Sequence, residues 1–199
     1  MNGRSKQRGF TLVEVIVVVA VIAILAAILT PYITKYIDDS RVAKAKNETQ
    51  VIGAAMASFY KDVGRWPYAN NAAASPPTNF TGVYTGPAGT PAPTAAFFVG
   101  TGWLASWNNL DTHLTARGHN YPANGEVKWN GPYSAPLPVD PWGHPYVVNA
   151  DKFIQPPPVG AGQKIPVWVM SAGPNGVIDT NIVAGANIPA LDDIGFRIY

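Results

Sequence analysis

The sequence predicts an α+β fold: a long N-terminal helix whose outer half packs on a small antiparallel sheet, with a loop-rich insert in the body. Three observations predict it. Residues 10–29 are apolar at every position except Thr11 and Glu14. Further on, Val42, Ala45, Thr49, Ile52, Met56 and Phe59 recur at spacings of 3 and 4, with Arg41, Lys44, Lys46, Asn47, Glu48 and Gln50 between them. That is the period of an amphipathic helix. The chain also holds 19 Gly and 19 Pro in 199 residues, most of them after the stripe, and between them lie short β-branched and aromatic runs. Such punctuation marks a loop-rich body rather than a helical bundle.

The first element follows from length. At 1.5 Å per residue, residues 10–29 span roughly 30 Å, the thickness of bilayer hydrocarbon. Arg4, Lys6 and Arg8 precede the run, so the positive-inside tendency keeps the leading residues cytoplasmic and exports the rest. A secretory signal peptide is the rival reading. It requires a shorter apolar region and small residues at a cleavage site, whereas this run closes on Ile28-Leu29-Thr30-Pro31-Tyr32. Glu14 stands out, because a carboxylate at the bilayer centre costs roughly 2.5–3.5 kcal/mol. Thr11 and Glu14 have the spacing of a capping box, which explains how the charge is tolerated at a helix start.

Pro31 removes its own bond to the Ala27 carbonyl and crowds that turn, so a kink or a locally unwound stretch is expected there. The helix is expected to end at Val63, with Gly64 as a left-handed C-terminal residue and Pro67 blocking continuation. Residues 70–101, rich in Ala, Pro, Thr, Gly and Asn, read as a long loop. Trp103, Leu104, Trp107 and Leu110 predict a helix ending near Ala116, and residues 126–129 a short strand. Asp140-Pro141-Trp142-Gly143 is a turn leading into a strand at Tyr146, Val147 and Val148, and residues 164–170 form the next strand. The domain plan is therefore a leader at 1–9, a membrane half of the helix at 10–30, its outer half at 31–63, and a globular domain at 64–199 with an insert at 68–137.

Gly9-Phe10-Thr11-Leu12-Val13-Glu14, after a basic leader and before an apolar run, resembles the class III signal of the type IV pilin-like family. The resemblance implies cleavage by a prepilin peptidase between Gly9 and Phe10, N-methylation of Phe10, and a Glu14 that faces the Phe10 amine of a neighbouring copy in a filament. Physics supports the pairing, since a charge in an apolar setting is tolerated when an opposite charge lies beside it. Pro31 matches a proline where pilin helices melt in filaments. Tyr60–Pro67 (YKDVGRWP), the DPWG segment and Ser171-Ala172-Gly173-Pro174-Asn175-Gly176 with Asp192-Asp193 resemble the major pseudopilins of type II secretion systems. Their C-terminal loop binds Ca²⁺, which places Asn175, Asp192 and Asp193 as side-chain ligands, Ser171 or its neighbours as carbonyl donors, and Asp179 as a further candidate. Hard oxygen donors gathered on a loop suit Ca²⁺. Solvated turn acids and a simple Asn-Gly turn are the alternative.

Other chemistries find no support. There is no cysteine, so neither disulfides nor thiolate sites are available to hold the loops. His113 and His119 lie off a shared helix face, and no nucleophile elbow, phosphate loop or H-E-x-x-H is present, so no enzymatic activity is expected. Basic residues form no patch outside the leader, which argues against nucleic acid as a partner. The expected role is a structural subunit of a secretion pseudopilus. It polymerises through its N-terminal helices from the inner membrane into the periplasm, with minor pseudopilins and an assembly platform as partners. The alternatives are a type IV pilus pilin, which shares the leader and Glu14, and a membrane-tethered binding module.

Overall fold

This computed structural model describes residues 9–73, 78–99, 103, 106–153, 166–182 and 188–198. The basic leader residues, Leu104, Lys164 and Ile165 lie outside them. The chain divides into two units, Met1–Ser40 and Arg41–Tyr199. Helix α1 covers Leu12–Val63. Val42 is its first half-buried residue, so the division after Ser40 follows contacts, whereas the expected division at Pro31 follows composition.

In the first unit every described residue is exposed, including long apolar side chains such as Leu12, Ile16, Ile24 and Leu29. An exposed apolar helical face of this size calls for an apolar surrounding, whether bilayer or other apolar helices. The unwound stretch expected at Pro31 is not found, and α1 continues through it as helix. A proline forfeits one backbone bond, and threonine hydroxyls add others nearby. Thr30 Oγ1 donates to Ala26 O at 2.7 Å, and Thr34 Oγ1 donates to Pro31 O at 3.0 Å.

The second unit is built on a five-stranded sheet. Strands β1 (Ala69–Asn71) and β2 (Thr78–Asn79) form a separate antiparallel pair. The main sheet contains β3 (Gly82–Tyr84), β4 (Trp107–Asn109), β5 (Val147–Val148), β6 (Trp168–Ser171) and β7 (Ile194–Arg197), in the order β4-β3-β5-β6-β7. All its pairings are antiparallel except β3 with β4. Helix α1 ends at Val63 as expected. Gly64 has φ 69°, and its N–H bonds to Tyr60 O at 2.8 Å.

Strand alternation gives the sheet two buried faces. Val148, Val167 and Val169 join Ile52, Met56 and Phe59 of α1, while Val147, Trp168 and Met170 face the other way. Phe97, Phe98, Trp103 and Trp107 of the insert cover that second face. The insert is therefore a layer of the core, and the expected loop at 70–101 contains three short strands. The helix expected from Trp103 to Ala116 is instead strand β4 followed by a single turn, α2 (Asp111–Leu114). Trp107 pairs with Gly82 at the sheet edge, and Asn109 Oδ1 accepts the Asp111 N–H at 2.8 Å, which starts the turn. Residues 126–129 do not form a strand. Their backbone bonds run singly to Asp62 O and Pro122 O.

His113, on α2, is fully buried. Tyr121 Oη accepts the Ala69 N–H and lies 2.8 Å from His113 Nδ1, and the His119 ring stacks on His113 at 4.4 Å. Burial, with His119 beside it, pushes the His113 pKa well below its ordinary 6.5. The stability it contributes is fully present above about pH 6.5 and is lost as pH falls below that, where the unfolded chain takes up a proton that the native ring refuses. Asp193 titrates in the opposite sense, but it cancels when wild type is compared with His113→Phe. Between pH 7.5 and 5.5 the wild type should lose stability relative to that variant, by up to about 1.4 kcal/mol per pH unit in thermal unfolding of the detergent-solubilised chain. A gap that does not change with pH would contradict this assignment.

Candidate functional site

Two places combine charge with constraint. The first is the start of α1. Thr11 Oγ1 accepts the Glu14 N–H at 3.3 Å, while the Thr11 N–H and hydroxyl donate to Glu14 Oε2 at 3.1 and 3.0 Å. This is the reciprocal capping box implied by the spacing. It fixes the carboxylate against the first turn, among the exposed apolar side chains of Val13, Val15, Ile16 and Val17. Phe10 stands just outside the helix and is 85% exposed, and a Cβ added at Gly9 would meet nothing within 4 Å. The acid four residues beyond Phe10 is held in place by its bonds to Thr11.

The second place lies at the β6–β7 end of the sheet, where the structure gathers Asn175, Asp179, Asp192 and Asp193. The Asn175 amide spans two acids: Nδ2 donates to Asp179 Oδ2 at 2.9 Å and to Asp192 Oδ1 at 2.7 Å. Its Oδ1 accepts the Val177 N–H, and its backbone N–H reaches Asp192 Oδ2. Asp193 is buried and accepts three bonds on Oδ2, from Asp179 N, Thr180 N and Thr180 Oγ1 at 2.9, 2.8 and 2.6 Å. Its Oδ1 is buried with no partner. Burial pushes the Asp193 carboxyl up to about 6 against the pull of the Thr180 and Asp179 bonds, and the nearby Asp179 charge adds to the rise.

Gly173 (φ 63°) permits this convergence, since a Cβ there would stand 2.4 Å from the Asp192 carbonyl. Ser171 is engaged elsewhere. Its hydroxyl donates to Asp140 Oδ2 at 2.6 Å and accepts the Gly173 N–H. Asp140 Oδ1 in turn accepts the N–H groups of Trp142 and His144, so the DPWG turn and the acid loop are tied together through Ser171. Sequence reasoning missed Thr180 and Asp140 as organisers of the loop. Thr180 carries no motif, and Asp140 was legible only as turn punctuation.

Among the described residues, no three His, Cys, Asp or Glu side chains form a metal-holding group. The carboxylates and turn carbonyls gathered here are hard oxygen donors, the type that Ca²⁺ takes, and in this arrangement the Asn175 amide nitrogen bridges Asp179 and Asp192.

The apolar helix, the capped acid and the sheet-end loop are on one chain, and comparison with known proteins follows the same division. The family model for the prokaryotic N-terminal methylation motif matches residues 4–30. The type II secretion system core protein G of Pseudomonas aeruginosa is 28% identical over 173 residues, 87% of each chain. The chain is similar to proteins of the type IV pilin-like family. Two further relatives of this pilin-like chain match about half of their own length. Fimbrial protein EcpC of Eikenella corrodens is 38% identical over 81 residues (41% of this chain, 52% of EcpC), and the type IV major pilin PilE1 of Neisseria gonorrhoeae is 36% identical over 80 residues (39% and 48%). No solved structure matches. The first forty residues of the pilin-like chain fit anchoring in a bacterial inner membrane, with a helix long and apolar enough to cross it.

Proposed function

We propose that this chain is a structural, non-catalytic subunit of a type II secretion pseudopilus. The observation that carries the reading is the similarity to core protein G, which extends over 87% of both chains and so includes the globular unit as well as the helix. Prepilin peptidase cuts between Gly9 and Phe10 and the new amine is methylated. Residues 1–9 stay cytoplasmic with their basic side chains, and the globular unit stands in the periplasm. Each incoming copy then settles where its Glu14 meets a Phe10 amine, because apolar helices slide freely but an unpaired charge does not. Minor pseudopilins and an inner-membrane platform supply the start and the drive. The growing filament pushes protein cargo outward.

The higher identities to the two pilins over shorter stretches favour a second reading, a surface pilus subunit. Deletion separates the two. Lost secretion with intact surface motility supports the pseudopilus, and the reverse supports the pilus.

Ca²⁺ belongs to the same proposal. Asp179, Asp192 and Asp193, with the Asn175 amide and carbonyls near Ser171, would hold it, and bound there it supplies the positive charge that three acids lack. Chelation at pH 7.5 should lower the Tm of the detergent-solubilised chain and added Ca²⁺ should restore it, since a ligand that binds only the native state stabilises it. An unchanged Tm in EDTA would remove the ion. For assembly, Glu14→Ala should leave the membrane level of the protein unchanged and reduce filament at least tenfold. Filament at the wild-type level would contradict the pairing.

A further inference from the structure

Residue number measures height along α1, because the helix runs without a break from Leu12 to Val63. Bilayer hydrocarbon, about 30 Å thick, takes about 20 residues of it. Composition alone sets that window on residues 10–29, which sinks Glu14 into the hydrocarbon. It also leaves Tyr36 about 10 Å outside, past the headgroups. The structure removes the reason to close the window at Leu29. Thr30 Oγ1 donates to Ala26 O at 2.7 Å, and Thr34 Oγ1 donates to Pro31 O at 3.0 Å and to Thr30 O at 3.3 Å. Hydroxyls satisfied by their own helix backbone make no demand on water. Ile33 and Ile37 beside them are exposed and apolar, and the one charged residue between Glu14 and Asp38 is Lys35.

Tyr32 and Tyr36 are exposed one turn apart, and at 100° per residue they share a face about 100° wide with Lys35. Tyrosine, with an apolar ring and a polar hydroxyl, collects where hydrocarbon meets headgroups, and lysine extends its ammonium to the phosphates there. We propose that Tyr32, Lys35 and Tyr36 form a collar that binds the headgroup zone of the outer leaflet, and that this collar holds the unassembled chain with Glu14 at the inner headgroup zone. The lengths agree. From Glu14 to Thr34, the level midway between the two tyrosines, α1 rises about 30 Å. Arg4, Lys6 and Arg8 precede Glu14 in the sequence, which makes its end the inner one. The hydrocarbon is then left to residues 15–33, none of which carries a charge. Glu14 stays hydrated in the lone subunit, and it loses water only when a neighbouring helix offers the opposite charge. The collar rests on inner-membrane anchoring of the chain and adds to it a depth and the residues that set it.

The chain has no cysteine, so a single introduced cysteine carries a spin label without background. The full-length Ala20→Cys and Ile28→Cys variants would be labelled in vesicles of phosphatidylethanolamine and phosphatidylglycerol, with lipid in large excess. Depth is read from the accessibility of each label to oxygen against a water-soluble nickel chelate. The two labels should lie equally deep, to within about 3 Å, or two residues of rise. A larger difference, such as the ~12 Å by which a window on residues 10–29 would set Ala20 deeper than Ile28, would overturn the collar and leave the anchoring intact. Labels that show no depth at all would overturn the anchoring itself, and the collar with it. Tyr32→Ser with Tyr36→Ser should set Ala20 deeper than Ile28 by at least one helical turn, about 5 Å, whereas Trp at both positions should keep the two level. A smaller shift in the Ser pair would overturn the part given to the tyrosines. Dipolar broadening of a label at Ile33, despite the excess lipid, would assign this face to a second copy and overturn the lipid assignment.

Discussion

A carboxylate cannot rest unpaired in hydrocarbon, and in this chain that constraint governs everything N-terminal to the globular unit. Glu14 is held by Thr11 through a reciprocal cap, which satisfies the backbone of the first turn and part of the carboxylate but leaves its charge uncancelled. Around it the side chains are apolar and exposed over the whole membrane half of α1. Apolar packing between such helices does not choose a register, whereas a single charge seeking its opposite chooses one. The capping geometry and the proposed assembly role are therefore compatible: the cap orients the group that a neighbouring copy would meet.

The globular unit answers a different constraint. Without disulfides, a body rich in Gly and Pro has to be closed by packing and by polar cross-links. The sheet is buried on both faces, against α1 on one side and against the Phe97, Phe98, Trp103 and Trp107 cluster on the other. Polar ties close the ends. Ser171 joins the DPWG turn to the acid loop through Asp140, and Tyr146 Oη donates to Glu48 Oε2 at 2.5 Å, linking sheet to helix. Asp193 is buried among these ties, with Oδ2 accepting three bonds and Oδ1 without a hydrogen-bond partner.

Those parts of the fold encoded by local period or by a single stereochemical need were legible. The 3,4 spacing through Phe59 gave the buried face of α1, and Gly64 with Pro67 gave its end. Elements decided by distant pairing were not. Trp103, Trp107 and Leu110 have helical spacing, yet β4 exists because Trp107 lies against Gly82, whose missing Cβ leaves room for the indole ring. His113 and His119, separated along the chain, stack because the turn after α2 folds one onto the other. At the acid loop the carboxylates were visible in sequence. Their organisation by Thr180 and by the Asn175 amide depends on side-chain orientation, which no motif records.

The central claim, that Glu14 is kept for the amine of a neighbouring copy, requires that amine to be made. The intact mass of the polypeptide isolated from its native membrane tests this most directly. The account predicts a chain that begins at Phe10, shortened by residues 1–9 and carrying one additional methyl group at its N-terminus. A native protein that retains those residues would leave Glu14 without a partner and contradict the account.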